Sequence, residues 1–264
     1  LSFLDHITPI ITTLDEEANI ARTLRPLEWA REVIVVDSDS TDSTCAIASA
    51  FPNVRIVCRP FISHAEQWAF AVAKAGVRTE WVLTLDADYV LTTAGTSEIQ
   101  SLDPSSAVAG YSCRFQYWAL GRPLRGSLYP PRIVLARKDC VRFHQDGHAH
   151  RLTVGGEVRS LRSPMIHDDR KPTATWLANQ WRYAQLEATK LLGPRTRRSR
   201  LIDALRRLGL SSPLAFLRAW LGGGGWLDGR AGFYYAVQRA VAEGVIALAI
   251  LERLDADREA SGDK

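Results

Sequence analysis

Trp81-Val82-Leu83-Thr84-Leu85-Asp86-Ala87-Asp88 is a short apolar run that ends in two carboxylates two residues apart. Its length and its aromatic and β-branched content read as a buried strand rather than a helix. Side chains alternate along an extended chain, so Asp86 and Asp88 project from one side and can converge on a hard divalent cation, directly or through water. Acidic pairs at strand ends also act as helix caps or solvated turns, and the pair by itself leaves both readings open.

Upstream the same design recurs. Apolar runs predict strands near Ile7–Thr12, Glu32–Val36, Val54–Cys58 and Trp81–Leu85, with helices near Glu17–Leu27, Ser43–Phe51 and His64–Ala75 between them. Strands alternating with amphipathic helices are the signature of an α/β fold with a largely parallel sheet. In such sheets ligands bind beyond the carboxyl ends of the strands, where the polar clusters lie here. From Ala107 to about Ile166 the pattern changes to alternation broken by Gly and Pro, which predicts extended segments. A long helix is expected over Thr173–Leu192, stopped by Gly193-Pro194, followed by a basic helical tail with a flexible glycine run at 222–225. The expected organisation is one α/β domain over 1–172, in two halves (1–105 and 106–172), with a helical extension over 173–264.

Composition narrows the class. With 46% hydrophobic and 23% charged residues the chain is neither disordered nor a polytopic membrane protein. The net charge of +4 is too mild to demand a nucleic-acid partner, and none is expected. Cys45, Cys58, Cys113 and Cys140 lack the spacing of a disulfide framework, which favours a reducing compartment, and no signal peptide is visible, so the expected setting is the cytoplasm. The stretch Phe233–Leu251 is apolar but interrupted by Gln238, Arg239 and Glu243, which are costly at a bilayer centre. A helix lying on the cytoplasmic face of the membrane fits it, as does an ordinary helix packed on the protein or on a dimer partner.

Three segments taken together resemble family 2 glycosyltransferases. They are Ile7 to Thr13 running into Leu14-Asp15-Glu16-Glu17-Ala18-Asn19-Ile20, then Glu32 to Val36 running into Asp37-Ser38-Asp39-Ser40-Thr41-Asp42-Ser43-Thr44, then the run ending at Asp86 and Asp88. The resemblance implies a GT-A fold, a mixed sheet flanked by helices, and a divalent Mg²⁺ or Mn²⁺ at Asp86 and Asp88. It also implies a nucleoside diphosphate sugar donor held by Thr12, Leu14, Glu16 and Asp37, with the base expected to be uridine. Thr12 stands where the family usually has proline and Leu14 where it usually has tyrosine, which removes an aromatic surface from the expected base site.

The second half is similar to a narrower branch, related to lipopolysaccharide-core β-glucosyltransferases. Gln67, in Phe61 to Ala69, fits a segment of that branch, as do Tyr129-Pro-Pro-Arg132 with Arg137-Lys138, Asp146-Gly-His148-Ala-His150-Arg151 and His167-Asp168-Asp169-Arg170-Lys171. The resemblance implies donor contacts from Gln67 and Arg132. His167 becomes a candidate third metal ligand, although a satisfied interior histidine reads equally well.

An inverting transfer needs a group to take the acceptor hydroxyl's proton while the diphosphate departs. Asp146 is the first candidate, with His148 and His150 as alternatives, because Arg151 stands where relatives often carry glutamate. Cys140, His144, His148 and His150 also invite a zinc reading, which a loop at Gly147 opposes. The expected activity is transfer of a hexose to a cell-envelope glycan such as lipopolysaccharide core. A polyprenyl-phosphate acceptor and a sugar-nucleotide-binding protein without catalysis are the alternatives. A nucleotidyltransferase is disfavoured, because Thr12–Asn19 has neither the glycines nor the lysine of a phosphate loop.

Overall fold

The computed structural model describes residues 2–103, 107–147, 149–192 and 204–261. The chain divides into two compact units: residues 1–118, 129–145 and 149–171 form the first, and residues 119–128, 146–148 and 172–264 the second.

The first unit is built on a mixed sheet. Its strands are β1 (Ile7–Thr13), β2 (Val33–Asp37), β3 (Val54–Cys58) and β4 (Trp81–Asp86), joined on the other side by β6 (Val108–Cys113), β9 (Arg132–Arg137) and β12 (Glu157–Ser160), in the order β12-β6-β9-β4-β1-β2-β3. β1, β2, β3 and β4 are mutually parallel, whereas β9 runs antiparallel to β4 and β6. The apolar runs are continuous rather than alternating because both faces are covered: every residue of β2, and Trp81 through Leu85 of β4, is buried. The helices α1 (Ile20–Leu24), α2 (Thr44–Ser49), α3 (His64–Ala73) and α4 (Thr93–Gln100) fill the connections. This is the parallel-dominated mixed sheet with flanking helices that the GT-A class requires.

Two element boundaries differ from expectation for local reasons. The first helix begins at Ile20 rather than Glu17, because residues 15–17 are cross-linked to the loop after β2. Ser40 Oγ accepts from Asp15 N at 2.9 Å, Asp42 Oδ2 accepts from Glu17 N at 3.0 Å, and Glu17 Oε2 accepts from Ser43 N at 3.1 Å. Asp15 and Asp39 both adopt the left-handed conformation in these turns (φ 52° and 62°), which aspartate tolerates better than most residues. The same helix tightens to a 3₁₀ turn over Arg25–Leu27, where Pro26 cannot donate a helical hydrogen bond.

A second, smaller sheet pairs β5 (Tyr89–Val90), β13 (Met165–His167) and β7 (Phe115–Ala119). Tyr89, His167 and Tyr117 are in register on one face, and Val90, Ile166 and Gln116 on the other. The expected extended region therefore forms β6 to β13, with the hairpin of β10 (Val141–Asp146) and β11 (Ala149–Val154) standing apart as a two-stranded sheet.

The second unit contains β8 (Arg122–Pro123) and, among its described helices, α5 (Thr173–Leu192), α6 (Ser211–Leu217) and α7 (Gly229–Ser261). Ala184 and Ala188 of α5 pack with Ala249 and Ile250 of α7. Asp228 Oδ2 accepts from Arg125 N at 2.9 Å, and Tyr235 OH accepts from Leu128 N at 2.8 Å, which ties residues 119–128 to the last helix. The glycine run expected to be flexible is instead a packed crossing. A π-helical turn over Arg218–Gly222 leads into a 3₁₀ turn over Gly225–Asp228, and a Cβ on Gly232 would lie 1.9 Å from the Gly225 carbonyl oxygen. Glycine is required there because two backbones touch.

Candidate active site

The carboxyl ends of β1 and β4 lie side by side, with Thr12 in register with Asp86. Asp86 closes β4, the buried Ala87 follows, and Asp88 precedes β5. Thr23 Oγ1 donates to the Ala87 carbonyl at 2.5 Å and fixes the backbone between the two carboxylates. Among the described residues no hydrogen-bond donor reaches the Asp86 carboxylate, and Asp88 Oδ2 lies 3.1 Å from His167 Nε2. The contact is an ion-pair distance between an imidazole nitrogen and a carboxylate oxygen.

His167 is surrounded by Tyr129, Tyr117, Tyr89 and Phe115, with ring centroids 4.5, 4.6, 5.2 and 6.3 Å away. The hydroxyls of Tyr89 and Tyr129 are hydrogen-bonded to each other, and burial pushes both phenols above their ordinary range. The Arg132 guanidinium lies 5.1 Å over the Tyr129 ring, and its buried Nε has no hydrogen-bond partner. Burial would lower the Arg132 pKa, but Tyr129, Tyr89, Asp86 and Asp88 together hold it above the usual value. A permanent cation thus stands near the two carboxylates with donor capacity unspent.

The segment after β13 anchors to α1. Asp168 Oδ2 accepts from Arg22 Nη1 at 2.6 Å and from Arg170 Nε at 2.9 Å, and Asp169 Oδ1 accepts from Asn19 Nδ2 at 2.9 Å. Lys171 forms an ion pair with Glu16, which also accepts from Asn19 Nδ2 at 2.9 Å. Burial pushes the Glu16 carboxyl up to about 7, with Lys171 opposing and Asp88 adding to the rise. Burial alone would lower Lys171, but Glu16 and Asp169 raise it, so the lysine stays an ammonium. Glu16 is therefore engaged with the protein, a role the sequence pattern does not reveal.

The remaining donor candidates divide. Leu14 is half-buried at the end of β1. Asp37 is only 1% exposed, and its oxygens accept from Thr13 Oγ1 at 2.8 Å, Ser40 Oγ at 2.6 Å and Ser40 N at 2.8 Å. That arrangement makes it a brace for the turn after β2. Gln67 is buried on α3 and donates from Nε2 to Ser38 Oγ at 3.0 Å and to the Arg59 carbonyl at 3.2 Å, which joins the loops after β2 and β3.

Of the candidate bases, His150 on β11 packs against Trp68 and Phe143, with ring centroids 5.5 and 5.9 Å away. Burial holds its pKa down at about 4; Arg132 and His64 lower it further, against Asp86, which raises it. It is a neutral imidazole at physiological pH. Asp146, at the end of β10, forms an ion pair with Lys190 of α5 within the second unit. His148 lies outside the described residues. His144 and His150 fall on the paired strands β10 and β11, and His144 bonds Thr153 Oγ1 at 3.1 Å. Among the described residues no three His, Cys, Asp or Glu side chains form a ready metal cluster.

Residues 8–99 match the family model described as "Glycosyl transferase family 2". The chain carries a family 2 glycosyltransferase domain. The matched residues run from β1 through α4 and include the register of Thr12 with Asp86. Beyond that domain, this glycosyltransferase is 26% identical over 270 residues to the lipopolysaccharide core biosynthesis glycosyltransferase LpsC of Rhizobium meliloti, covering 94% of this chain and 92% of that one. It is 35% identical over 98 residues to an uncharacterized glycosyltransferase of Rickettsia felis, covering 37% of this chain and 34% of the relative. Among solved structures it is similar to S. aureus TarS 1-349 in complex with UDP, with a TM-score of 0.49, 13% identity, and 95% and 91% of the two chains covered.

Proposed function

We propose that this enzyme is a metal-dependent inverting glycosyltransferase that moves a hexose from a UDP-linked donor to a hydroxyl of a cell-envelope glycan such as lipopolysaccharide core. The observation that carries the reading is the pair Asp86 and Asp88 at the carboxyl end of β4, one oxygen-rich side chain without a protein donor and the other 3.1 Å from His167 Nε2. Similarity to LpsC over nearly the whole chain supports the acceptor class.

Asp86 and Asp88 would hold Mg²⁺ or Mn²⁺, whose oxygen preference the carboxylates fit, and the bound ion supplies charge compensation for the departing diphosphate. His167 Nε2, 3.1 Å from Asp88 Oδ2, stands where it would either position that carboxylate or join it as a ligand. Arg132 faces the same developing negative charge with an unpaired donor. Thr12 and Leu14 border the site at the end of β1, while Glu16, Asp37 and Gln67 hold its walls through the bonds described above. In the transfer the acceptor oxygen bonds the anomeric carbon, the bond from that carbon to the diphosphate oxygen breaks, and the hydroxyl proton passes to a base. Asp146, His148 and His150 stand as the base candidates. His150, with an imidazole held neutral, has a free lone pair but little basicity.

The helical unit carries a lipid-facing reading as well. Leu214, Leu217, Leu221, Trp226, Leu227 and Phe233 are exposed, with Arg218 and Arg230 among them, which suits an anionic membrane surface on the cytoplasmic side. α7 is long and apolar enough to cross a bilayer by length and composition. Two of its charged residues are nevertheless engaged with protein: Glu243 binds Arg206 through two hydrogen bonds at 2.8 and 2.9 Å, and Arg239 lies 5.5 Å from the Tyr235 ring. Surface docking is the reading consistent with that packing, and it would present the enzyme to a lipid-linked acceptor.

The decisive experiment incubates the full chain with UDP-glucose, UDP-galactose or UDP-N-acetylglucosamine, Mn²⁺ and truncated lipopolysaccharide cores, and measures UDP release and product mass. Metal-dependent transfer with an inverted anomeric centre is expected. Tight UDP binding without turnover on any core or on polyprenyl phosphate would leave the non-catalytic reading in its place.

A further inference from the structure

The small sheet has two faces, and only one of them serves the carboxylate pair. Tyr89, His167 and Tyr117 share one face, where His167 lies 3.1 Å from Asp88, whereas Val90 and Ile166 form the floor of a separate cleft of about 430 Å³ within the first unit. Arg22 and Arg25 line it from the first helix, Arg170 from the segment after β13, and Trp118 from β7. Three guanidiniums and one carboxylate line it, and that carboxylate, Asp168, already accepts from Arg22 and Arg170. Arg25 is exposed and has no ion-pair partner among the described residues, so the cleft carries excess positive charge.

Its donors are also incompletely used. Arg22 Nε and Trp118 Nε1 are both buried and make no hydrogen bond. Unpaired buried donors are costly and are usually satisfied by a ligand or ordered water. Guanidinium forks match the oxygen geometry of phosphate and carboxylate, and an indole beside an apolar floor suits the C–H face of a pyranose ring. The volume accommodates a mono- or disaccharide rather than a macromolecular segment.

We infer that this cleft is a second binding site, separate from the carboxylate pair, for a sugar that bears a phosphate or a carboxylate. Asp168 is adjacent in sequence to His167, so occupancy of the cleft would bear on the segment that carries His167 against Asp88.

The test uses the full chain labelled with ¹⁵N at its tryptophan indoles, with the Trp118 signal assigned by its loss in Trp118→Phe. Glucose 6-phosphate and glucuronate should each shift that signal saturably, neutral glucose should not, and inorganic phosphate should bind at least several-fold more weakly than glucose 6-phosphate. Arg25→Ala should weaken glucose 6-phosphate about tenfold, as loss of one charge-assisted contact does, while UDP affinity in the same sample stays unchanged. If Arg25→Ala fails to fold, Arg170→Ala, at a half-exposed side chain, replaces it with the same expectation. No saturable shift, affinity unaltered in the arginine variant, or inorganic phosphate binding as tightly as the sugar phosphate would each overturn the assignment. Because the readout is binding at Trp118 and not transfer, failure here is distinguishable from failure of the donor-site reading.

Discussion

His167 Nε2 lies 3.1 Å from Asp88 Oδ2, in a ring enclosed by three tyrosines and a phenylalanine. The enclosure fixes the imidazole beside the carboxylate. Partners that orient a metal-binding carboxylate typically contribute about 10–100-fold in metal affinity. His167→Phe keeps an aromatic ring in the cage and removes the ring nitrogens, so Mn²⁺ affinity in the presence of UDP should fall by about that factor. Glutamine at the same position, which retains an N–H, should recover part of it. Titration calorimetry with Mn²⁺ reads both, and an unchanged affinity in His167→Phe would remove His167 from the site.

Asp86 and Asp88 lie at the half-exposed tip of β4 rather than in its packed interior. Asp88→Ala should therefore abolish metal-dependent transfer, by at least ~10²-fold given what a missing charge-stabilising group costs, while thermal unfolding stays close to wild type. Full turnover in that variant, measured as UDP release, would contradict the proposed cation position.

The parallel half of the sheet and its order of elements were legible because buried strands leave continuous apolar runs, such as Val33 to Val36, that a helix period does not fit. The alternation expected to put Asp86 and Asp88 on one side does not reach Asp88, because β4 ends at Asp86 and Ala87-Asp88 is a turn. The bonds that hold the site were not legible either. Lys171 meets Glu16 and Asp168 meets Arg22 across about 150 residues of chain, and no local pattern encodes a long-range ion pair. Composition also misled at residues 222–225, where glycine signals close backbone approach in a packed turn and not flexibility. Asp37 reads as a ligand-facing acid at a strand end, yet its burial and three accepted hydrogen bonds commit it to the protein.

The Glu16–Lys171 pair gives a pH-dependent prediction. Burial raises the Glu16 carboxyl to about 7, so its contribution to stability is fully present below the ordinary value of 4.5 and declines as pH rises through 7. Removing the lysine deprives the ionised form of its partner. Lys171→Met should thus be more destabilising at pH 8 than at pH 5, with a loss of about 3 kcal/mol at the higher pH if the carboxylate is left uncompensated. Urea unfolding at the two pH values measures it, and equal losses would show that Glu16 is not the titrating partner.

His150 predicts the opposite slope. Its folded pKa of about 4 lies below the ordinary 6.5, so the unfolded chain binds the extra proton between those values and stability falls as pH drops from 6.5 to 4. His150→Phe preserves the ring stacking on Trp68 and Phe143 but cannot titrate. The variant's stability should be flatter across that window, by up to about 3 kcal/mol from the linkage of pKa to free energy. Transfer activity in the same variant decides whether the imidazole also takes the acceptor proton: retained turnover leaves Asp146 and His148 as the bases to test.

Gly232 carries the last prediction because the helical unit depends on one crossing. The Gly225 carbonyl oxygen sits 1.9 Å from where a Gly232 Cβ would be, and the neighbouring Cα is 2.8 Å from it. These are backbone atoms, so no side-chain rotation relieves the clash and the turn after Gly224 must move away from α7. An overpacked core position costs about 1–3 kcal/mol, and a backbone clash belongs at the upper end. Gly232→Ala should lower the thermal midpoint of the full chain by that measure. By contrast Gly209→Ala, which meets no atom within 4 Å but sits at φ 68°, should cost only the ~1 kcal/mol of a strained left-handed alanine. If the two substitutions prove equal, the close approach of Gly225 and Gly232 is not what holds α7 in place.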